Sequence, residues 1–295
     1  MKGRCDGLVG ALMAAAHSAT VQRAHRTLET TVFKVLIVFA HPEHRSFNGA
    51  MLQTATGAFD SIGAEVQVSD LYAMRFDPVV RASDFKDFGT DRLDYFAEQK
   101  RAYLAGTLAD DIVAEIQKIA WCDLLILQFP LYWFSVPAIL KGWIDRVFVP
   151  GFAFGSGKWY DRGGLAGKRA MLAITMAAYP EMMAPDGLNG LLEVNLWPIQ
   201  NGVLAFCGFE VLAPFVANSV TYSDDATRAR IIADYGRRLA GLGRETPLPC
   251  HRRDEFDRRW KMNPEIEPRT VGHYFGRVPA DLVDSLRRPR DKDSL

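Results

Sequence analysis

From residue 32 onward the chain alternates between short apolar runs and stretches in which apolar residues return every three or four positions. The segment VFKVLIVFA, residues 32–40, is almost continuously apolar, as expected of a strand buried on both faces of a parallel sheet. Residues 47–62 read as a helix, Gly63 as its stop, and AEVQVSD, residues 64–70, as a second strand. Over residues 108–123, Ile112, Ile116 and Ile119 fall on one helical face, with Asp110 and Asp111 in the first turn where the helix dipole favours acids. Three further strands are expected at LLILQFP (124–130), RAMLAIT (169–175) and FEVLAP (209–214). Helices are expected over 136–148 and 224–242, the second with Ile231, Tyr235 and Leu239 at four-residue spacing.

Strands alternating with helices define an α/β doubly wound parallel sheet. Five strands predict the flavodoxin-like order 2-1-3-4-5, with ligand bound outside the carboxyl ends of the strands, at the switch point between the first and third. The domain spans residues 32–248. Residues 249–295, rich in proline and charge, read as an extended arm packing on the domain or on a partner. Residues 1–31 read as a disordered extension, since their alanine-rich run is too interrupted for a secretion signal.

Charge and cysteine content narrow the functional classes. The chain has 35 basic and 35 acidic residues among 295, so no electrostatic footprint for nucleic acid or anionic lipid stands out. Cys5, Cys122, Cys207 and Cys250 are scattered, which argues against a zinc centre or a disulfide framework and for a reducing cytoplasm. No apolar run approaches the ~20 residues that span a bilayer, so no stable membrane insertion is expected.

Two strand ends carry candidate chemistry. His41 closes the first strand, and Ser46, Phe47 and Asn48 open the next helix, where unpaired amides and the helix dipole suit a phosphate. The alternative is that Ser46 merely caps the helix and His41 is a satisfied strand-end histidine. No GxGxxG accompanies them, which weakens a nicotinamide-binding Rossmann reading. After the third strand come Pro130, Leu131, Tyr132, Trp133 and Phe134. Three successive aromatics cannot all point inward, so they either fill the core in part or form a platform for a flat heteroaromatic ring.

The block FPLYWFSVPAILKGWIDRVF, together with HPEHRSFN, DLYAM, DDIVAE, LWPIQNGVLAFCGFEVLAP and ETPL, closely resembles the NAD(P)H:quinone oxidoreductases of the DT-diaphorase type. The likeness runs from about residue 33 to 248 and continues weakly through VGHYFG. It implies a homodimeric flavoprotein in which FAD occupies the switch point and a second subunit completes the active site. His41, Phe47 and Asn48 carry over to the adenine-diphosphate side of FAD, Leu131, Tyr132, Trp133 and Phe134 to the flavin bracket, and Arg228 to the adenosine end. Thr175, Met176, Ala177 and Ala178 stand where the family has a Thr-Thr-Gly-Gly loop. The implied chemistry is hydride transfer from NADH or NADPH to the flavin and then to a quinone on the same surface, hence a ping-pong order.

Departures from the family pattern are equally specific. Met183 and Asn189 align with the Tyr/His pair that stabilises charge on the flavin, and Tyr179 is the nearest substitute phenol. Phe154 and Ser156 align with two pocket tyrosines, Trp159 with a third contact, Tyr222 with a pocket histidine and Phe206 with an aromatic of the dimer-related wall. Trp133 and Phe134 would also face the substrate. Other readings are a regulatory flavoprotein ancillary to a potassium efflux system, a reductase of azo or nitro compounds, or FMN in place of FAD; the long tail favours FAD.

Overall fold

The computed structural model describes residues 32–274. The extension expected over 1–31 and the end of the arm lie outside the described residues. Six strands form one parallel sheet: β1 (Lys34–Phe39), β2 (Glu65–Asp70), β3 (Leu124–Pro130), β4 (Arg169–Thr175), β5 (Glu210–Val211) and β6 (Phe215–Ala217). Their order is β2-β1-β3-β4-β5, with β6 also on β4, so the sheet is flavodoxin-like. The third and fourth strands fall where the apolar runs predict them.

The fifth strand requires a correction. Pairing with β4 stops after Val211 and resumes from Phe215 to Ala217, beyond the expected end at residue 214. Pro214 has no amide to give to a ladder, so the strand breaks there and then re-forms. The resumed part, where Ala217 pairs with Thr175, carries the sheet edge up to the end of β4.

Alternate residues of each central strand feed two cores. Val35, Ile37 and Phe39 of β1 meet α1 (Phe47–Ser61) and α6 (Asp225–Gly241) through Met51, Phe59, Tyr235 and Leu239. Leu36 and Val38 face the opposite layer, α3 (Asp110–Trp121) and α4 (Ala138–Val147), through Ile112, Ile119, Leu140 and Trp143. Truncating a buried ring such as Phe39 or Phe59 would cost about 3–5 kcal/mol. Cys122, Cys207 and Cys250 are free, and burial pushes the first two thiols up to about 11 and about 12.

Helix ends follow local chemistry. Ser46 caps α1 by accepting from the Gly49 amide, and Gly63 (φ 70°) ends it, its amide and that of Ala64 returning to the carbonyls of Asp60 and Phe59. Gly49 is required for another reason: a Cβ there would lie 1.8 Å from the His44 carbonyl oxygen. Two helices escape the periodic pattern. In α2 (Tyr95–Ala105) only Gln99 and Ala102 are buried, between an Asp94 cap and a left-handed Gly106. In α5 (Leu192–Ile199), Pro198 interrupts the amide ladder, and the chain continues as a wider π turn over Gln200–Ala205. The arm meets α5 through α7 (Val271–Tyr274) and a Trp197 to Thr270 hydrogen bond of 3.3 Å.

Candidate active site

The ends of β1, β3 and β4 are tied together at the switch point. Gln128 and Thr175 fall on the α1 face of their strands. The Gln128 amide donates to the Asn48 carbonyl at 2.6 Å, and the Asn48 amide donates to the Thr175 hydroxyl at 2.7 Å. The Thr175 carbonyl in turn accepts from the Leu131 amide at 2.8 Å. Within this buried cluster Asn48 Oδ1 and Gln128 Oε1 have no hydrogen-bond donor among the described residues. Such buried acceptors are uncommon in native proteins and suit a ligand donor or ordered water.

One wall is the helix start. His41 Nδ1 lies 3.1 Å from the Glu43 amide, 3.0 Å from the Glu43 carbonyl oxygen and 3.0 Å from the Ser46 hydroxyl, which ties the strand end to the helix start. Ser46 Oγ accepts from the Gly49 amide, and the Phe47 and Asn48 amides have no acceptor among the described residues. Hydrogen bonds from the Arg45 side chain and amide hold the Glu43 carboxyl down at about 2.

The aromatic turn follows directly at the end of β3. Tyr132 and Ser135 exchange both backbone hydrogen bonds, which forces Trp133 (φ 48°) and Phe134 (φ 61°) into the left-handed region. Asn and Gly normally occupy such a two-residue turn, and bulky rings there are strained. Yet Tyr132, Trp133 and Phe134 are 46%, 94% and 45% exposed, so none of them fills the core. The Trp133 and Phe134 amides have no acceptor among the described residues. Strain combined with exposed rings and open amides is typical of a functional site.

The floor continues along Met176, Ala177 and Ala178. Met176 exchanges hydrogen bonds with the β6 end (its amide to Ala217, its carbonyl from Val220), and Ala178 accepts from the Ser219 amide. Arg228 fastens the same loop through the Val220 carbonyl at 3.1 Å, and Tyr222 stacks on Tyr179 with centroids 6.0 Å apart. Met183 is buried, with its sulfur 3.5 Å from the Asn189 amide. The structure thus brings Met183 and Asn189 together and leaves Tyr179 partnered with Tyr222.

The remaining substrate candidates cluster elsewhere. Phe206 lies 5.4 Å from Phe154 and 6.2 Å from Trp159, and Trp159 lies 4.8 Å from Trp260. No ring contact among the described residues joins this group to Tyr132, Trp133 or Phe134, and Ser156 is an exposed turn residue. Asp94 caps α2 by accepting from the Ala97 amide. Sequence reasoning passed over Gln128, although an uncharged polar residue inside LLILQFP was a signal. It also passed over Tyr72 in DLYAM, whose phenol is pushed up by burial and by neighbouring Tyr132.

An open parallel sheet in the order β2-β1-β3-β4-β5, with a helix start and strained aromatics at its switch point, defines a flavodoxin-like protein, and residues 33–239 match the family of flavodoxin-like fold. The NAD(P)H dehydrogenase [quinone] 1 of Cavia porcellus is 41% identical over 86% of this chain and 98% of its own. The ribosyldihydronicotinamide dehydrogenase [quinone] of Homo sapiens is 45% identical over 74% of this chain and 95% of its own. A crystal structure of a quinone reductase, so described as putative, from Klebsiella pneumoniae is 41% identical, with TM-score 0.78 over 80% of this chain and 96% of that one. The chain belongs to the NAD(P)H dehydrogenase (quinone) family. Among the described residues, no helix is long and apolar enough to cross a membrane, and no group of three or more His, Cys, Asp or Glu could hold a metal ion.

Proposed function

We propose that the protein is an FAD-dependent reductase that passes two electrons as hydride from NADH or NADPH to quinones, in ping-pong order. The observation that carries this reading is that buried unpaired acceptors and strained, exposed rings occur together at the switch-point end of the sheet.

The residues present fit the cofactor. Asn48 Oδ1 and Gln128 Oε1 are acceptors for hydroxyl donors such as those of a ribityl chain. The Phe47 and Asn48 amides, at a helix start with its positive dipole, suit phosphate oxygens. Tyr132, Trp133 and Phe134 offer flat faces, and the Trp133 and Phe134 amides offer donors to a ring edge. FAD, when bound, supplies the hydride carrier between nicotinamide and quinone. The chain's own work is to hold donor and acceptor in turn against one shared surface, which imposes the ping-pong order. Asn189 offers an amide donor where relatives of this family carry a stronger proton donor, and its neighbour Met183 offers none.

The resemblance carries with it a homodimer in which each subunit lends the Phe154, Trp159 and Phe206 group to its partner's site, and those rings do pack together, with Phe206 5.4 Å from Phe154 and 6.2 Å from Trp159. Anaerobic stopped-flow mixing of the FAD-loaded protein with NADH or NADPH, then with a benzoquinone, tests the whole reading. Rapid bleaching followed by full reoxidation is the expected result. Tightly held flavin that neither donor reduces would overturn it.

A further inference from the structure

A cavity of about 340 Å³ lies where the arm crosses the π turn and the segment before β4. It sits at the lower end of the range of about 300–1,000 Å³ typical of small-molecule sites, with room for one or two fused rings. Its walls are flat: Trp159, Phe206, Phe256 and Trp260. Its charge comes from Arg253.

Arg253 is held in an unusual way. Its guanidinium carbon lies 5.3 Å from the centre of the Trp159 ring and 5.2 Å from that of Trp260, within cation–π range of both. Nη1 donates to the Gly157 carbonyl at 2.6 Å, while Nε is buried with no acceptor among the described residues. The nearby carboxylates are already engaged. Asp161 accepts from the Arg253 backbone amide at 3.0 Å and lies 3.7 Å from the Arg252 guanidinium. Glu255 is taken by His251 and Arg269. The Trp159 ring N–H is likewise buried without an acceptor. One positive charge and two orphan donors therefore belong to residues that line one aromatic cavity.

Buried donors are costly unless an acceptor meets them, and the half-buried guanidinium beside them favours an acceptor that is negative. A neutral ring would satisfy only the walls, and a cation would be repelled by Arg253. We infer that this cavity binds planar aromatic anions of one or two rings, their carboxylate or sulfonate meeting Arg253 while the ring body packs among Phe206, Phe256 and Trp260. Trp159 and Phe206 also belong to the proposed acceptor wall. The inference therefore rests on that reading when it names the preferred substrate class: quinones that carry an acidic substituent.

Binding and turnover separate the two claims. Full-length, flavin-loaded protein is titrated with 2-naphthoate and with neutral 2-naphthamide, followed by tryptophan fluorescence. Steady-state rates are measured with 1,2-naphthoquinone-4-sulfonate and 1,2-naphthoquinone. The acid should bind about tenfold more tightly than the amide, as a charge-assisted contact would give. In Arg253→Gln, checked for unchanged flavin content and melting temperature, that preference should vanish, and the kcat/KM ratio of the two quinones should fall by the same factor. Arg253→Lys, which keeps the charge and loses the planar fork, should retain part of it. Equal binding of acid and amide to the unaltered protein, or a preference that survives Arg253→Gln, overturns the inference. Acid preference without turnover of any quinone upholds the anion site and overturns the reductase reading alone.

Discussion

Arg146 and Asn48 are about equally buried, at 4% and 3% exposed, yet their surroundings are finished differently. Arg146 forks onto Asp84 through Nε at 3.2 Å and Nη2 at 2.9 Å, and gives Nη1 to Asp111 at 2.7 Å and to the Asp77 carbonyl at 2.9 Å. Asp84 also accepts from the Tyr95 hydroxyl at 2.6 Å, and burial followed by that carboxylate raises the Tyr95 phenol well above its usual range. This cluster is closed: it pins the segment after β2 to α2, α3 and α4. Around Asn48 the network stops short, with two buried acceptors unmatched. Burial of polar groups does not by itself mark a site; the unmade hydrogen bonds do.

The largest expected effect lies on the closed side. Asp84→Ala would leave Arg146 charged and buried without its fork, at a cost of about 3–5 kcal/mol in chemical denaturation. Folded Asp84→Ala protein should bind flavin as the unaltered protein does. A loss below about 1 kcal/mol would mean that Asp111 and the Asp77 carbonyl together satisfy Arg146.

On the open side the balance reverses. Asn48→Leu should change stability by only about 1–2 kcal/mol, one hydrogen bond being exchanged for apolar burial. The same substitution should raise the flavin dissociation constant at least about tenfold in a fluorescence titration. Unchanged flavin affinity would remove Asn48 from the site.

The strained turn sharpens the contrast further. Phe134→Gly places at φ 61° the residue that tolerates it, so stability should hold or rise by up to about 1 kcal/mol despite the lost ring. Flavin affinity should fall. Falling stability with intact flavin binding would make the ring a packing element instead.

The smallest effect concerns a third cluster, in the arm. Burial and then His251 lower the proton affinity of His273, so the unfolded arm binds that proton more tightly and attachment weakens as the pH drops below about 6.5. Burial alone would raise the Glu255 carboxyl, but hydrogen bonds from the Arg252 amide, His251 and Arg269 hold it below its usual 4.5. Its contribution is present above that value and is lost as the pH falls further. Limited proteolysis should therefore cut within residues 249–274 faster at pH 5 than at pH 7, while the Arg146 cluster keeps the domain resistant. Equal cutting rates at pH 5 and pH 7 would separate the arm's attachment from His273.

Much of the frame was legible because buried parallel strands need continuous apolar runs: β3 and β4 begin and end where LLILQFP and RAMLAIT do. The switch point follows from strand order, and three adjacent aromatics at a strand end already required an exposed ring. Other elements lacked a periodic signal. Helix α2 buries too little to show one, although Asp94 and Gly106 mark its ends. The chain passes through Pro198 into a π turn that contributes Asn201 to the cavity, which no periodic pattern announced. Likewise Pro214 reads as the end of the fifth strand, whereas pairing resumes one residue later.

The sequence by itself determined the layers, the order of the sheet and the end of it at which chemistry is possible, because these depend on local periodicity and on short connections that leave few alternatives. Only the tertiary structure decided which polar groups are left unmatched. Gln128, Asn48 and Thr175 are distant in the chain and meet only across the sheet, and Arg253 reaches Trp159 and Trp260 only once the arm has crossed the domain. Hydrogen-bond completeness is a property of neighbours in space, and neighbours that far apart in sequence leave no mark on local pattern.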